Sequence, residues 1–504
     1  MARVAGREAP GQFMIDGLLP SAYSRLPENF YARLAPTPVA KPRLIQFNSA
    51  LASELGLDTQ DTDSEALAAI FSGNQLPTQL APIAMAYAGH QFGHFVPQLG
   101  DGRAILIADA VDRSGVRRDI QLKGSGRTPF SRNGDGRAAM GPVLREYLVS
   151  EAMHAMAVPT TRSLAAVSSG EFVLREQPLP GAILTRVAAS HVRVGTFEYF
   201  AARGQVEAIR VLADYVIDRH YPDARSSGQP YISLLRFIVQ RQANLIARWM
   251  QVGFIHGVMN TDNMALSGET IDFGPCAFMD HFDPAAVFSS IDSFGRYAYG
   301  NQPRVAQWNL ARLAETLLPL IDPDTERAVE LGTEAVRQFT ELFDLQWLDG
   351  MRLKLGLSQA EAGDRDLAQT LLDLMHGNQA DFTLTFRHLA DVLPGESGAA
   401  RVRGMFENPG SFDAWVLAWQ SRLEREPQPP RSRAEAMRRA NPAFIPRNHR
   451  IEQAIVAAVE SEDFQLFFDL LAALSRPFED QPRFAKFLEP PQPNERVLQT
   501  FCGT

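Results

Sequence analysis

Near Gly195 the hydrophobic period of the sequence changes, and a fold of one secondary-structure class cannot hold both halves. From about Pro82 to Arg193 the chain is rich in glycine and short β-like runs. "RAILIADAV" (Arg103–Val111) and "RRDIQLKG" (Arg117–Gly124) read as strands joined by the turn "DRSG". "GEFVLRE" and "GAILTRVA" read as further strands, and "GPVLREYLVSEAMHAM" (Gly141–Met156) as the helix among them. Beyond Gly195, "VEAIRVLADYVIDRHY" and "YISLLRFIVQRQANLIARWMQVGF" have the apolar spacing of long amphipathic helices. A hairpin is expected over Met264–Ile271, and nearly everything after Val305 reads as helix. The first 75 residues mix loop signals with one expected helix near Phe47–Leu55. The order predicts an α+β, bilobal chain with a strand-rich lobe, a large helical lobe and a cleft at the junction. Expected boundaries are an N-terminal extension over 1–75, an N-lobe over 76–195, a helical C-lobe over 196–400 and a helical extension over 401–504.

Composition narrows the function. Apolar residues make up 45% and charged residues 21% of 504, so a large core is available. The net charge of −9 argues against a general binder of nucleic acid or membrane surfaces. Arg3 and Arg7 are not followed by an apolar segment, so no secretory signal is expected, and no run of about 18 apolar residues predicts a membrane span. Two cysteines, Cys276 and Cys502, make neither a disulfide framework nor a zinc cluster. The expected setting is the cytoplasm.

The chemistry concentrates in "MNTDNMALSGETIDFG" (Met259–Gly274). Asn263 and Asp272 supply an amide oxygen and a carboxylate, hard ligands suited to Mg²⁺ or Mn²⁺ bridging phosphates. An Asn followed at this spacing by Asp-Phe-Gly is also how protein kinases hold metal. "HGVMNTDN" (His256–Asn263) lies over the kinase pattern H-R-D-L-x-x-x-N with His256 and Asn263 matched. Val258 then replaces the catalytic Asp, and valine accepts no proton. Asp262, next to Asn263, is the nearest carboxylate that can serve as base; its plainer role is to brace the turn.

Other elements fit around this pair. Lys123 ends a strand and Glu146 follows on a helix, the arrangement by which a carboxylate fixes a phosphate-binding ammonium. Taken alone, such a pair is usually solvated. "QLGDGRA" places Gly100, Gly102 and Arg103 before a strand, where glycines let backbone approach phosphate and Arg adds a planar fork of donors. A tight turn is the bland alternative. "GSGRTPFSRNGDGRAAMGP" (Gly124–Pro142) is a second Gly/Arg-rich loop, with Asp135 and Gly136. Arg186 and Arg193 lie near the expected lobe junction, where a kinase normally faces adenine with apolar groups; two arginines suit a triphosphate better. "HQFGH" (His90–His94) lacks the Glu of an H-E-x-x-H zinc site, and these histidines are expected to brace a loop.

Together, "YAGHQFGHFVPQLGDGRA", "QLKGSGRTPFSRNGDGRA", "LREYL", "HGVMNTDNMAL", "IDFGPCAFMD" and "NPAFIPRNHRIEQAI" (Asn441–Ile455) resemble the selenoprotein O family, known in bacteria as YdiU. The resemblance runs from about residue 29 to the C-terminus. It implies a kinase-like fold that binds ATP in a flipped orientation and transfers AMP to Ser, Thr or Tyr hydroxyls of proteins. UMP transfer from UTP with manganese is also ascribed to the bacterial members. By motif, it implies Lys123 and Glu146 as the ion pair, Asn263 and Asp272 as metal ligands and Asp262 as proton acceptor. It implies nucleotide contacts from Gly100, Gly102, Arg103, Lys123, Asp135, Gly136, Arg186, Arg193 and Asp272. Eukaryotic members carry selenocysteine near the C-terminus; here "TFCGT" has Cys502. A reversible Cys276–Cys502 bridge restraining the segment after Asp272 is the corresponding expectation. The rival readings are an ordinary kinase, which leaves Val258 unexplained, and a nucleotide-sensing scaffold, which leaves the retained Lys, Glu, Asn and Asp unexplained.

Overall fold

Asn48 and Asp63 show how local chemistry sets the first elements. Each accepts a hydrogen bond from a backbone N–H three residues on, Leu51 N at 3.0 Å and Ala66 N at 2.8 Å. They cap the helices Ser49–Glu54 and Ser64–Phe71. The first helix is shorter than expected because Phe47 completes the strand Arg43–Phe47. The computed structural model describes residues 15–393 and 398–501. They form two compact units. One comprises the chain up to Ala86, Leu99–Val143 and Ser163–Ser190; the other comprises Tyr87–Gln98, Leu144–Arg162 and the chain from His191.

The first unit is built on an antiparallel sheet. Its strands run in the order Tyr31–Arg33, Ile83–Met85, Ala104–Val111, Arg117–Lys123, Pro178–Ala188, Arg162–Leu174 and Arg43–Phe47, with Ala138–Ala139 beside Pro178–Ala188. The expected turn after Val111 is an Asp-centred one. Asp112 Oδ1 accepts from Ser114 N, Ser114 Oγ and Val116 N, and Gly115 supplies the positive φ of 83°. One sheet face carries Ile105, Ile107, Ile120, Leu122, Ile183 and Val187 into a core with the two small helices. A register shift between Leu106 and Ala108 turns Ile107 and Ala108 to this same face.

The second unit is helical. Pro230–Val252, Gln302–Ile321 and Thr325–Leu355 pack on one another along their lengths. Gly253 and Gly356, both left-handed, end the first and last of these. Beyond Gly253 the strand Phe254–Ile255 pairs with Ala277–Phe278, so the intervening loop is tied at both ends. The architecture is thus mixed, an antiparallel-sheet N-terminal region followed by a helical C-terminal region. No helix among the described residues is long and apolar enough to cross a membrane.

Candidate active site

The loop between those two short strands holds the candidate metal ligands. His256 is buried, and its Nε2 lies 2.8 Å from the Ile271 carbonyl while Val258 N donates to Nδ1 at 3.3 Å. A ring accepting at Nδ1 carries its proton on Nε2, and burial holds its pKa below the usual value, favouring that neutral form. His256 therefore ties the start of the loop to the residue before Asp272. Trp249 stacks on its ring and donates its indole N–H to Thr270 Oγ1. The hairpin expected over Met264–Ile271 does not form. A turn closes from Gly268 N to the Ala265 carbonyl at 3.2 Å, but the two arms do not pair: Ala265 bridges to Arg193 and Thr270 to Thr160.

Asn263 closes a single 3-10 turn, Thr261–Asn263. Its Nδ2 donates to the Val258 carbonyl at 3.0 Å, which leaves the amide oxygen as the end able to meet a cation. Asp272 has φ 69°, rare for a residue with a Cβ, and Gly274 N closes a tight turn onto its carbonyl at 2.8 Å. Ile271 and Phe273 are buried on either side and hold that conformation. Val258, which the sequence pattern aligns with the kinase Asp, is buried.

Asp262 is 8% exposed. Its Oδ2 accepts from Gln91 Nε2 at 3.3 Å, while Oδ1 is buried with no hydrogen-bond partner among the described residues. Burial pushes its pKa up to about 6; Arg193 pulls the other way, and the Asp272 charge adds to the rise. A buried carboxylate oxygen with no hydrogen-bond partner among the described residues, on the residue preceding Asn263, suits a cation or a hydroxyl proton. Asn263 and Asp272 are thus chemically suited to Mg²⁺ or Mn²⁺. Arg193 caps the helix Val194–Ala201, lies 4.6 Å over the Tyr87 ring and donates Nη1 to the Asp262 carbonyl at 2.8 Å. It holds the backbone of the candidate base.

A second layer of support comes from the "HQFGH" segment and its neighbours. Gly89–Gln91 pairs with His94–Val96 through a two-residue turn, Phe92 and Gly93, both at positive φ. His90 N donates to Thr261 Oγ1 at 2.6 Å, Phe92 N donates to Asn260 Oδ1 at 3.1 Å, and Glu198 bridges His90 Nδ1 and the Thr261 hydroxyl. Of the "HQFGH" histidines, His90 braces the Thr261 turn through Glu198 rather than the Gly100–Arg103 loop; among the described residues no cluster of three metal-binding side chains occurs. A Cβ on Gly89 would come within 2.7 Å of Asp262 Oδ1, and one on Gly195 within 2.1 Å of the Ala88 carbonyl. Only glycine at these two positions lets the three segments close around Asp262. Period-based reading misses Gly89, Gln91, Gly195 and Glu198, because their roles depend on partners far away in sequence.

In the sheet unit, Lys123 pairs with Leu184 and Gln121 with Arg186. Directly opposed residues share a face, so Lys123, Gln121 and Arg186 lie together on the face opposite the apolar core. Lys123 and Arg186 are both buried. Gly100 has φ 78°, and a Cβ there would enter the Phe130 ring at 2.3 Å. Thr128 Oγ1 donates to the Asp101 carbonyl and Ser131 Oγ to that of Gly102, so the Gly124–Pro142 loop folds onto the turn that leads to Arg103. Gly136 lies at φ 69° against the Gly126 backbone. Asp135 is exposed; despite some desolvation, Arg175 and the Arg137 N–H hold its carboxyl below the usual range. Glu146 is buried on the helix Met140–Ala155, in the part belonging to the helical unit. Cys276 is buried, and Cys502 lies outside the described residues.

Comparison with known proteins gives a consistent result. The family described as "Protein adenylyltransferase SelO" matches residues 18–475. The chain is 63% identical over 484 residues to the protein nucleotidyltransferase YdiU of Rhizobium rhizogenes, covering 96% of each chain. It is 62% identical to that of Rhizobium meliloti, covering 96% of this chain and 99% of the relative. It is 60% identical to that of Rhodopseudomonas palustris, covering 96% and 98%. The chain belongs to the SelO family of protein adenylyltransferases and is a nucleotidyltransferase.

Proposed function

We propose that this chain transfers AMP from ATP to Ser, Thr or Tyr hydroxyls of proteins, with UTP as an alternative donor, on a kinase-like bilobal fold that holds the nucleotide flipped. The domain boundaries expected from sequence belong to the same reading. So does a cytoplasmic setting, which a chain with two cysteines suits. The observation that carries it is the buried, unpartnered Oδ1 of Asp262 beside Asn263, in a loop whose usual catalytic position holds Val258. A kinase keeps its base at that position; here the nearest proton acceptor has moved next to the metal pair.

In this mechanism Asn263 and Asp272 would hold Mg²⁺ or Mn²⁺, which would supply charge neutralisation and polarisation of the phosphate. Asp262 accepts the proton of the target hydroxyl as it attacks the α-phosphorus, and pyrophosphate leaves. Lys123 and Arg186, neighbours on one sheet face, offset the negative charge that builds on the pyrophosphate. Glu146 would be the ion-pair partner of Lys123 that the family resemblance implies, and Arg193 positions Asp262 through its carbonyl. Gly100, Gly102, Arg103, Asp135 and Gly136 shape the phosphate-facing loops.

ATP labelled at the α- or the γ-phosphate tests this reading. Transfer of α-label alone is the expected result; transfer of γ-label means phosphoryl transfer, and no transfer means a sensing scaffold.

A Cys276–Cys502 disulfide, formed at the expense of a disulfide oxidant, is the regulatory part of the proposal. Its support is Thr500, whose hydroxyl donates to the Pro275 carbonyl at 2.6 Å and whose N–H donates to that of Phe288 at 2.7 Å. The chain two residues before Cys502 thus lies against the residue preceding Cys276. An identical response of AMP transfer to reductant in wild type and Cys502→Ala would sink it.

A further inference from the structure

The helical unit has a cavity of about 650 Å³ that the mechanism above does not use. Phe92, Phe294, Arg296, Arg304 and Trp308 are among its walls. Phe294 is 100% exposed and Ile291 51% exposed, and both line the cavity. An apolar rim of this kind on a charged surface is characteristic of a binding face.

The cavity lining carries more positive than negative charge. Arg304 is exposed and has no ion pair or hydrogen bond among the described residues. Arg296 lies 4.9 Å over the Trp308 ring, and its Nε is buried without a hydrogen-bond partner. Asp292 is the one carboxylate among the lining residues, and it is spent internally: its two oxygens accept from Arg296 N and Tyr297 N at 2.9 and 2.8 Å. Two guanidinium groups against the single Asp292 carboxylate leave the lining with a net positive charge, and neither guanidinium has an ion pair among the described residues.

The same wall is joined to the candidate base. Phe92 N donates to Asn260 Oδ1 and Tyr297 Oη, both at 3.1 Å, and the Tyr297 hydroxyl donates to Asn260 Oδ1 at 2.6 Å. Gln91, the residue before Phe92, donates to Asp262. A ligand pressing on Phe92 and Arg296 thus acts on the loop that carries Asp262.

We propose that this cavity binds the target-protein segment flanking the acceptor hydroxyl, and that it selects an acidic side chain through Arg296 and Arg304 and an apolar one through Phe294. The inference rests on the protein-modifying reading above. Unpaired arginines and an exposed aromatic favour a segment with one Asp or Glu beside a Leu- or Phe-like residue over a basic or wholly polar one.

The test uses the full chain and two fluorescent peptides with a central Ser, one flanked by Asp and Leu, the other by Lys and Leu. Binding is read by anisotropy, and α-label transfer from ATP is read on the same peptides. The acidic peptide is expected to bind about tenfold tighter at low salt, and added salt should shrink the difference. Arg304→Glu should reverse the order, a switch that misfolding cannot produce. Phe294→Ala should weaken both peptides alike. Equal binding of the two peptides, no binding of either, or an order unchanged by Arg304→Glu would overturn the proposal. The intended binding order without any α-label transfer would overturn AMP transfer to peptides and leave the cavity's selectivity standing.

Discussion

Asp262 and Asp364 are both buried aspartates of the helical unit, and they are held in opposite ways. Asp364, 1% exposed, accepts from Arg422 Nε and Arg352 Nε at 2.8 Å each and from Glu361 N. Against the desolvation of burial, these bonds keep its pKa below the usual value. Asp262 has one long hydrogen bond to a neutral amide, and Arg193 is turned to its carbonyl rather than its carboxylate. Burial then dominates, and its pKa stands near 6. The difference separates a carboxylate kept for the fold from one left able to take a proton.

The widest gap between the two should appear in activity. Asp272→Ala is expected to abolish AMP transfer if Asp272 holds the metal as proposed, and the readout is α-label incorporation. Asp262→Asn should lower the rate about 10²–10⁴-fold if Asp262 is the general base. Asp364→Ala should instead remove the charged hydrogen bonds from Arg422 and Arg352, which keep Glu426 and Asp349 as partners, and cost about 1.5–3 kcal/mol in urea unfolding, with the rate per folded molecule preserved. Equal losses of activity in Asp262→Asn and Asp364→Ala would erase the distinction.

Stability against pH sharpens it. The Asp262 pKa is raised on folding, so its charge weighs on the folded state only as pH rises from about 4 to about 6. Asp262→Asn should therefore stabilise the metal-free protein by about 1–3 kcal/mol at pH 7 and by almost nothing at pH 4. Asp364 has a depressed pKa, so its contribution is present above about pH 4 and disappears as pH falls through the lower folded value. Urea midpoints across pH 3–7 measure both. A stabilisation by Asp262→Asn that is as large at pH 4 as at pH 7 would show that the Asp262 charge is not the cause. The smallest effect is expected at Gln91: removing one hydrogen bond in Gln91→Ala should slow transfer by less than about tenfold, in line with roughly 0.5–1.5 kcal/mol per bond.

Much of this was legible without coordinates where the signal is local. The strands Ala104–Val111 and Arg117–Lys123, the helix Met140–Ala155 and the long helices Val206–His220 and Pro230–Val252 follow from period and turn residues. The hairpin over Met264–Ile271 failed because the backbone partners of Ala265 and Thr270 are Arg193 and Thr160, which spacing does not announce.

The sequence by itself determined the elements, the Asn263 and Asp272 motif, the Val258 substitution and the family, all written in short-range order. Tertiary structure decided the state of Asp262. Its desolvation, its single bond from Gln91, the Arg193 contact to its carbonyl and the space left by Gly89 come from segments far away in the chain. A carboxylate's affinity for a proton is a property of the charges and water around it, and only the folded path of the chain sets those.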